Sequence, residues 1–378
     1  MKKIVPIIFI ILLILSCLVS CSNQEAYSYT FTEFFNTTTN LLLYEKESNA
    51  DQISLSCKEK LRELENKLSL YKEDSDIYKY NRALFGTYVE VSFDTYNCVS
   101  KAKQIYLDTN GSFNPLMYRL SDLWGFTDRF SQENFEIEFS YDRENYKEQI
   151  PNDEYIEKFL SLTDFNKVQL KVEEDKYYIY KPEDFVEIDG KKIGYELDLG
   201  GIAKGYAVSQ IKDMIDEKTL GYISIGTSSL YVSTDKGLSK KWDIDINNPF
   251  EKGVLASVEA NNAGISTSGS YEKFYEINGV RYCHIINPNT GKPINSDMQS
   301  ISLIGIDAFI GDALTTALLV MGEKSACNYL NQMQNITAVY TLEKESNKIL
   351  KHNVNNYYKI KNIDKSFKVE TFWWAKIV

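Results

Sequence analysis

The stretch Asp198-Leu199-Gly200-Gly201-Ile202-Ala203-Lys204-Gly205 decides how the chain is read. Residues 196–199 predict the end of a strand that delivers a carboxylate to a turn. Two glycines let the backbone bend or approach a ligand closely, and a helix is predicted over 203–215, opening with a lysine. Backbone N–H groups at a helix start suit phosphate oxygens, and a lysine adds a compact point charge. The spacing is neither the dinucleotide GxGxxG nor the GxxxxGKS/T phosphate loop. By itself the run fits two readings equally: a diphosphate cradle, or a chain reversal capped by Asp198.

Outward from this turn, apolar spacing predicts helices over 53–70, 98–107, 156–162 and 308–321, and strands over 31–44, 87–93, 222–225, 242–246, 281–286 and 301–306. Residues 168–172 and 176–180 read as a hairpin. Residues 109–111 and the small-residue run 266–271 read as turns, and the polar stretch 127–153 as an insertion or long loop. Strands and helices mix without a strict βαβ rhythm, which favours an α+β domain over a doubly wound parallel sheet. No repeat of 20–50 residues recurs, which argues against a solenoid or propeller.

Composition sets the outer limits. The 378 residues carry a net charge of −11, with 43% hydrophobic and 13% aromatic side chains. That is ample for a packed core and excludes disorder as the main state. No basic stripe is visible to neutralise phosphates, which argues against a nucleic-acid binder. Lys2 and Lys3 precede an almost unbroken aliphatic run from Ile4 to Val19, then Ser20 and Cys21. Small residues before a cysteine suit a lipoprotein signal peptide over 1–21, with Cys21 as the lipidated N-terminus; the alternative is an uncleaved anchor. Either way the body is expected outside the cytoplasm beside a membrane. Residues 22–33 read as a tether, 34–345 as the main domain and 346–378 as an extension of it. Cys57, Cys98, Cys283 and Cys327 match no zinc spacing and read as buried free thiols. Phe372-Trp373-Trp374 suits an edge strand packing its aromatics better than a membrane contact.

Two further patterns could carry chemistry. In Gly311-Asp312-Ala313-Leu314-Thr315-Thr316-Ala317, Asp312 and Thr316 stand i and i+4 on one helix face. A carboxylate with a hydroxyl suits Mg²⁺ rather than zinc, although alone the pattern better suits a first-turn acid placed for the helix dipole beside buried threonines. His284 lies in Tyr282-Cys283-His284-Ile285-Ile286-Asn287-Pro288-Asn289-Thr290-Gly291. On a strand Cys283 and His284 face opposite ways, which rules out a Cys–His dyad, and a lone strand histidine is more often structural than catalytic. No GxSxG elbow supports a serine hydrolase.

Taken together these motifs resemble the ApbE family of flavin transferases, over residues 34–322. DLGGIAKGYA matches best; HIINPNTGKP resembles the family's HIIDPxTGxP, and Asp312 to Ala317 its DAxxTA. Ser112-Phe113-Asn114-Pro115 with Leu123-Trp124-Gly125-Phe126 resembles GxFDP…LWGF, and residues 69–81 resemble SxYxxDSEIxxxN. The resemblance implies a mixed-sheet, T-fold-related α+β domain with packed helices, acting as an extracytoplasmic, lipid-anchored FAD:protein FMN transferase. Its partners would be threonine- or serine-bearing flavoprotein subunits of membrane redox complexes, and AMP would be released. It implies Mg²⁺ on Asp312, the Thr316 hydroxyl and the Gly201 carbonyl. It implies FAD contacts from Asp198, Lys204, Ser112, Phe113, Asn114 and Ile286, with His284 beside the reacting phosphates. Phe35-Asn36-Thr37 stands where the family has Met-Gly-Thr, so Phe35 would meet the flavin, and Tyr71 would line the same pocket.

The chain departs from the family at Asn114, Asn287 and Ser270, where aspartates are usual, and at Gly226-Thr227-Ser228, usually a Gly-Gly-Asn-like turn. Asparagine keeps an acceptor but loses charge. FAD and Mg²⁺ binding therefore stand on firmer ground than fast turnover. The rival readings are an FAD pyrophosphatase, a non-catalytic FAD-binding lipoprotein, and a solute-binding lipoprotein that leaves these motifs unexplained.

Overall fold

The computed structural model describes residues 25–131, 138–142, 149–215, 219–234, 241–344, 347–353 and 358–372. The segment 1–21 read as a signal peptide, with Cys21, and Trp373-Trp374 lie outside them. Among the described residues, a nine-stranded sheet forms the centre: β1 (Glu25–Phe34), β2 (Thr37–Glu45), β3 (Leu220–Ile225), β4 (Ser229–Val232), β5 (Ala263–Gly269), β6 (Met298–Ile304), β7 (Thr337–Lys344), β8 (Asn347–Asn353) and β9 (Lys368–Phe372). Spatial order equals chain order. Every neighbouring pair is antiparallel except β8 with β9. The helices in chain order are α1 (Glu47–Leu68), α2 (Asp76–Arg82), α3 (Phe93–Asp108), α4 (Tyr118–Leu123), α5 (Asp153–Leu160), α6 (Ala203–Met214) and α7 (Ala308–Leu330).

Period-two alternation gives the sheet two buried faces. Leu41, Leu43, Ile223, Ile225, Ile301 and Leu303 face a core shared with α1, α6 and α7. Ile265, Ile304, Val339 and Leu350 face the other way, onto a small sheet of Trp242–Asn247, Val254–Ala260 and Lys359–Lys361. The result is the mixed α+β architecture expected, in three layers.

Several local expectations change. The strand predicted over 31–44 is a hairpin, turned by Phe35 and Asn36 at φ of 53° and 50°. Two residues at positive φ match the twist of the flanking strands, and neither is glycine, which hid the turn. Residues 25–33 are not tether but β1, paired along its length with β2. Residues 196–199 form no strand and join no sheet. Residues 266–269 end β5 rather than forming a turn. In the stretch read as a loop, Asp128–Ser131 is a 3₁₀ turn, and Phe139 and Tyr141 are buried. The four cysteines beyond the signal are free thiols, three of them buried.

Candidate active site

Two helices create the polar heart of the site. The Gly205 N–H, which would ordinarily bond back to the Gly201 carbonyl as α6 begins, donates instead to Asp312 Oδ2 on α7 at 3.0 Å. The Gly201 oxygen therefore makes no hydrogen bond among the described residues and remains an available acceptor. Glycine is needed at 205, because a Cβ there would overlap the Ala308 carbonyl and sit 2.7 Å from Asp312 Cβ. Asp312 is 3% exposed, and Lys204 Nζ lies 3.8 Å from its Oδ2 while donating to the Gly200 carbonyl at 2.9 Å. Thr316, one turn along α7, contacts Ser268 Oγ at 3.2 Å. Gly201, Asp312 and Thr316 all line the same cavity, and their carbonyl, carboxylate and hydroxyl oxygens are hard donors of the kind that could hold Mg²⁺. Among the described residues no group of three His, Cys, Asp or Glu side chains could hold a metal, so the carbonyl and hydroxyl are essential to this set.

These residues line a cavity of about 580 Å³, within the range of cofactor sites. Every body residue to which the resemblance assigned a metal, flavin or phosphate contact lines it: Phe35, Tyr71, Ser112, Phe113, Asn114, Asp198, Gly201, Lys204, His284, Ile286, Asp312 and Thr316; Asn287 and Ser270 do not. Asp198 accepts from the Gly200 N–H at 2.8 Å, and burial raises its pKa against the pull of that bond and of Lys204. Its own N–H donates to the Pro115 carbonyl at 2.8 Å. Tyr71 OH accepts from the Asp128 N–H at 3.0 Å, and burial pushes its pKa up.

His284 is held from one side. Its backbone N–H and Nδ1 both meet the Lys273 carbonyl, at 3.0 and 3.2 Å. A carbonyl only accepts, so Nδ1 carries the proton and Nε2 is left as a bare acceptor. Burial lowers the imidazole pKa to about 4. Phe126 stands edge-on to the ring at 6.5 Å. The LWGF motif supports the segment around His284: Trp124 Nε1 donates to the Gly291 carbonyl at 2.8 Å, and the indole stacks on Tyr282.

The departures from family aspartates have structural answers. Asn114 Nδ2 donates to the Thr163 carbonyl at 2.8 Å, a bond a carboxylate could not make, while Oδ1 takes the Leu116 N–H. Asn287 closes a turn on the Asn289 N–H, and Ser270 Oγ donates to Gln299 Oε1. Sequence reasoning missed Glu272, Lys273 and Asp128, which also line the cavity. Burial raises the Glu272 pKa, and nearby Asp312 adds to the rise. Only its place next to the 266–271 run could have drawn attention to it.

A model of the ApbE family matches residues 35–340. The chain belongs to the ApbE family. It is 26% identical over 294 residues to the FAD:protein FMN transferase of Haemophilus influenzae, covering 76% of this chain and 77% of that protein. It is 28% identical over 284 residues to the FAD:protein FMN transferase of Escherichia coli K12, covering 74% and 73%. The ApbE protein of Thermotoga maritima superposes with a TM-score of 0.70 at 26% identity, covering 84% of this chain and 95% of that one.

Proposed function

We propose that this ApbE-family chain is a Mg²⁺-dependent FAD:protein FMN transferase. The observation that carries the reading is the diverted Gly205 bond, which leaves the Gly201 carbonyl without a hydrogen bond among the described residues, in a cavity that Asp312 and Thr316 also line. A magnesium ion bound there would neutralise charge on the diphosphate. Lys204 adds a fixed positive charge on the same wall, and Asp198 with the Ser112-Phe113-Asn114 turn would hold the dinucleotide. Phe35, Tyr71 and Ile286 offer apolar surface for the flavin. The unprotonated Nε2 of His284 is suited to take the proton of an incoming threonine or serine hydroxyl. The hydroxyl oxygen bonds to the FMN-side phosphorus, the P–O–P bridge breaks, and AMP leaves with the bridging oxygen.

The acceptors in this reading are extracytoplasmic flavoprotein subunits of membrane redox complexes, reached by an enzyme lipidated at Cys21. Only Ser22 to Gln24 separate that cysteine from β1, about 10 Å of extended chain. The test is incubation with FAD, Mg²⁺ and a threonine-bearing acceptor domain, followed by mass spectrometry for one added FMN. AMP release without labelling would favour hydrolysis. FAD binding with no AMP under any condition would favour the storage reading.

A further inference from the structure

Residues 195–199 belong to no sheet, so no neighbouring strand fixes their backbone. We infer that Asn81, braced by Lys181, is a positioning residue for the Asp198 carboxylate and thereby sets affinity for the flavin dinucleotide; this rests on the FAD-binding reading above.

Asn81 sits in the last turn of α2 and is 6% exposed. Its Nδ2 donates to the Leu197 carbonyl at 2.9 Å, and its Oδ1 accepts the Leu197 N–H at 2.8 Å. One side-chain amide thus makes the double exchange that a residue of an adjacent antiparallel strand would make. Leu197 is wholly buried, so both groups would otherwise be orphaned. The next residue is Asp198, whose own N–H is fixed by Pro115.

Asn81 is held in turn. Lys181, 1% exposed, donates its ammonium protons to the carbonyls of Tyr80 and Asn81, at 3.1 and 2.5 Å. Among the described residues it forms no ion pair with a carboxylate, and its charge lies over the Tyr80 and Phe85 rings. A charge is expensive to bury, and burial brings this ammonium's pKa down to about 8. What the molecule gains for that cost is a fixed end to α2, where a cation also suits the helix dipole. The line Lys181, Asn81, Leu197, Asp198 runs from core to cavity, and of the four only Asp198 lines the cavity.

The test is a double-mutant cycle on the purified protein, reading Mg²⁺-dependent FAD binding by flavin fluorescence and unfolding by circular dichroism. Asn81→Ala should weaken FAD binding at least tenfold at a temperature where it remains folded. Asp198→Asn keeps the acceptor for Gly200 and should also weaken binding. The double variant should bind no worse than Asp198→Asn alone, because Asn81 acts only through that carboxylate. Asn81→Asp keeps the acceptor for the Leu197 N–H, loses the donor, and should fall between; it replaces Asn81→Ala in the cycle if the alanine variant does not fold. Binding within twofold of wild type in Asn81→Ala, or losses that multiply in the double variant, would overturn the inference. Wild-type protein that binds no FAD would overturn the functional reading and this inference with it.

Discussion

A methyl group added at Gly205 would overlap the Ala308 carbonyl and lie 2.7 Å from Asp312 Cβ. Carbon atoms rest about 3.5–4.0 Å apart, so α6 and α7 must separate by about 1 Å to admit it. Overpacking of this kind costs about 1–3 kcal/mol. At roughly 2–4 °C per kcal/mol, or less in so long a chain, Tm should fall by a few degrees. The larger consequence is local. The separation stretches the 3.0 Å bond from Gly205 to Asp312, lets the Gly205 N–H return to the Gly201 carbonyl, and moves that carbonyl from the carboxylate. Mg²⁺ demands near-octahedral ligands at about 2.0–2.1 Å, and a shift of about 1 Å in one of three protein ligands exceeds that tolerance. A loss of about 10–100-fold in Mg²⁺ affinity is expected, the size found when the support of a metal ligand is removed.

The assay is Mg²⁺ titration of AMP release from FAD, with Gly190→Ala as control. Gly190 has φ of 74° and nothing within 4 Å of an added Cβ, so its substitution strains a turn remote from the cavity. Both variants should lose stability, and only Gly205→Ala should shift the Mg²⁺ midpoint. Equal midpoints would refute the claim that close approach of the two helices builds the metal site.

Asp312→Asn keeps an oxygen for the Gly205 N–H but loses the charge, so Tm should hold within a few degrees while Mg²⁺-dependent AMP release drops at least about 100-fold; retained activity would remove Asp312 from the ligand set. Because burial holds the His284 pKa at about 4, kcat/KM for FAD should stay flat from pH 8 to about 5 and fall only near pH 4. His284→Ala should abolish that limb and lower kcat by about 10²–10⁴, and a limb near 6.5 would contradict the burial argument. The same shift acts on stability: unfolded chains protonate this imidazole near 6.5 and the folded protein only near 4. Its contribution is therefore full above pH 6.5 and is lost as pH falls toward 4, which acid titration of Tm against His284→Ala would show. Phe35→Gly removes a side chain held at φ of 53°, a conformation costing about 1–2 kcal/mol for non-glycine residues. Tm should move little, since glycine also loosens the unfolded chain, while FAD affinity falls severalfold; unchanged affinity would remove Phe35 from the flavin contacts.

What was legible in the sequence follows from the range of each signal. Asp312 and Thr316 announce a shared face because helix geometry fixes i and i+4 locally. The strand expected over 281–286 instead stops at Cys283, so His284 sits on a bend and reaches the cavity by way of that bend rather than by strand alternation. The strands β7 and β8 pair with each other from Lys344 and Asn347 onward, a local signal the reading passed over, while β7 meets β6 and β8 meets β9 on their other edges. The hairpin at Phe35 and Asn36 was hidden for a different reason. Its turn uses a phenylalanine where local chemistry asks for glycine or asparagine, and the interior supports the choice by giving the Phe35 N–H to Glu65.

The turn that opens with Asp198 shows where sequence reading reaches its limit. Its local chemistry allowed a diphosphate cradle or a simple reversal, because nothing within eight residues says what the Gly201 carbonyl faces. The observation that bears on those readings is a contact between residues 107 apart in sequence, Gly205 and Asp312. A plain reversal would let α6 take its first-turn bond at Gly201, and Gly205 could then be alanine with better helix propensity. Instead the bond is diverted, the helices touch backbone to side chain, and an acceptor stands beside a buried carboxylate. That arrangement sacrifices a helix bond and excludes every side chain at 205, costs that a stable turn alone would give no reason to retain.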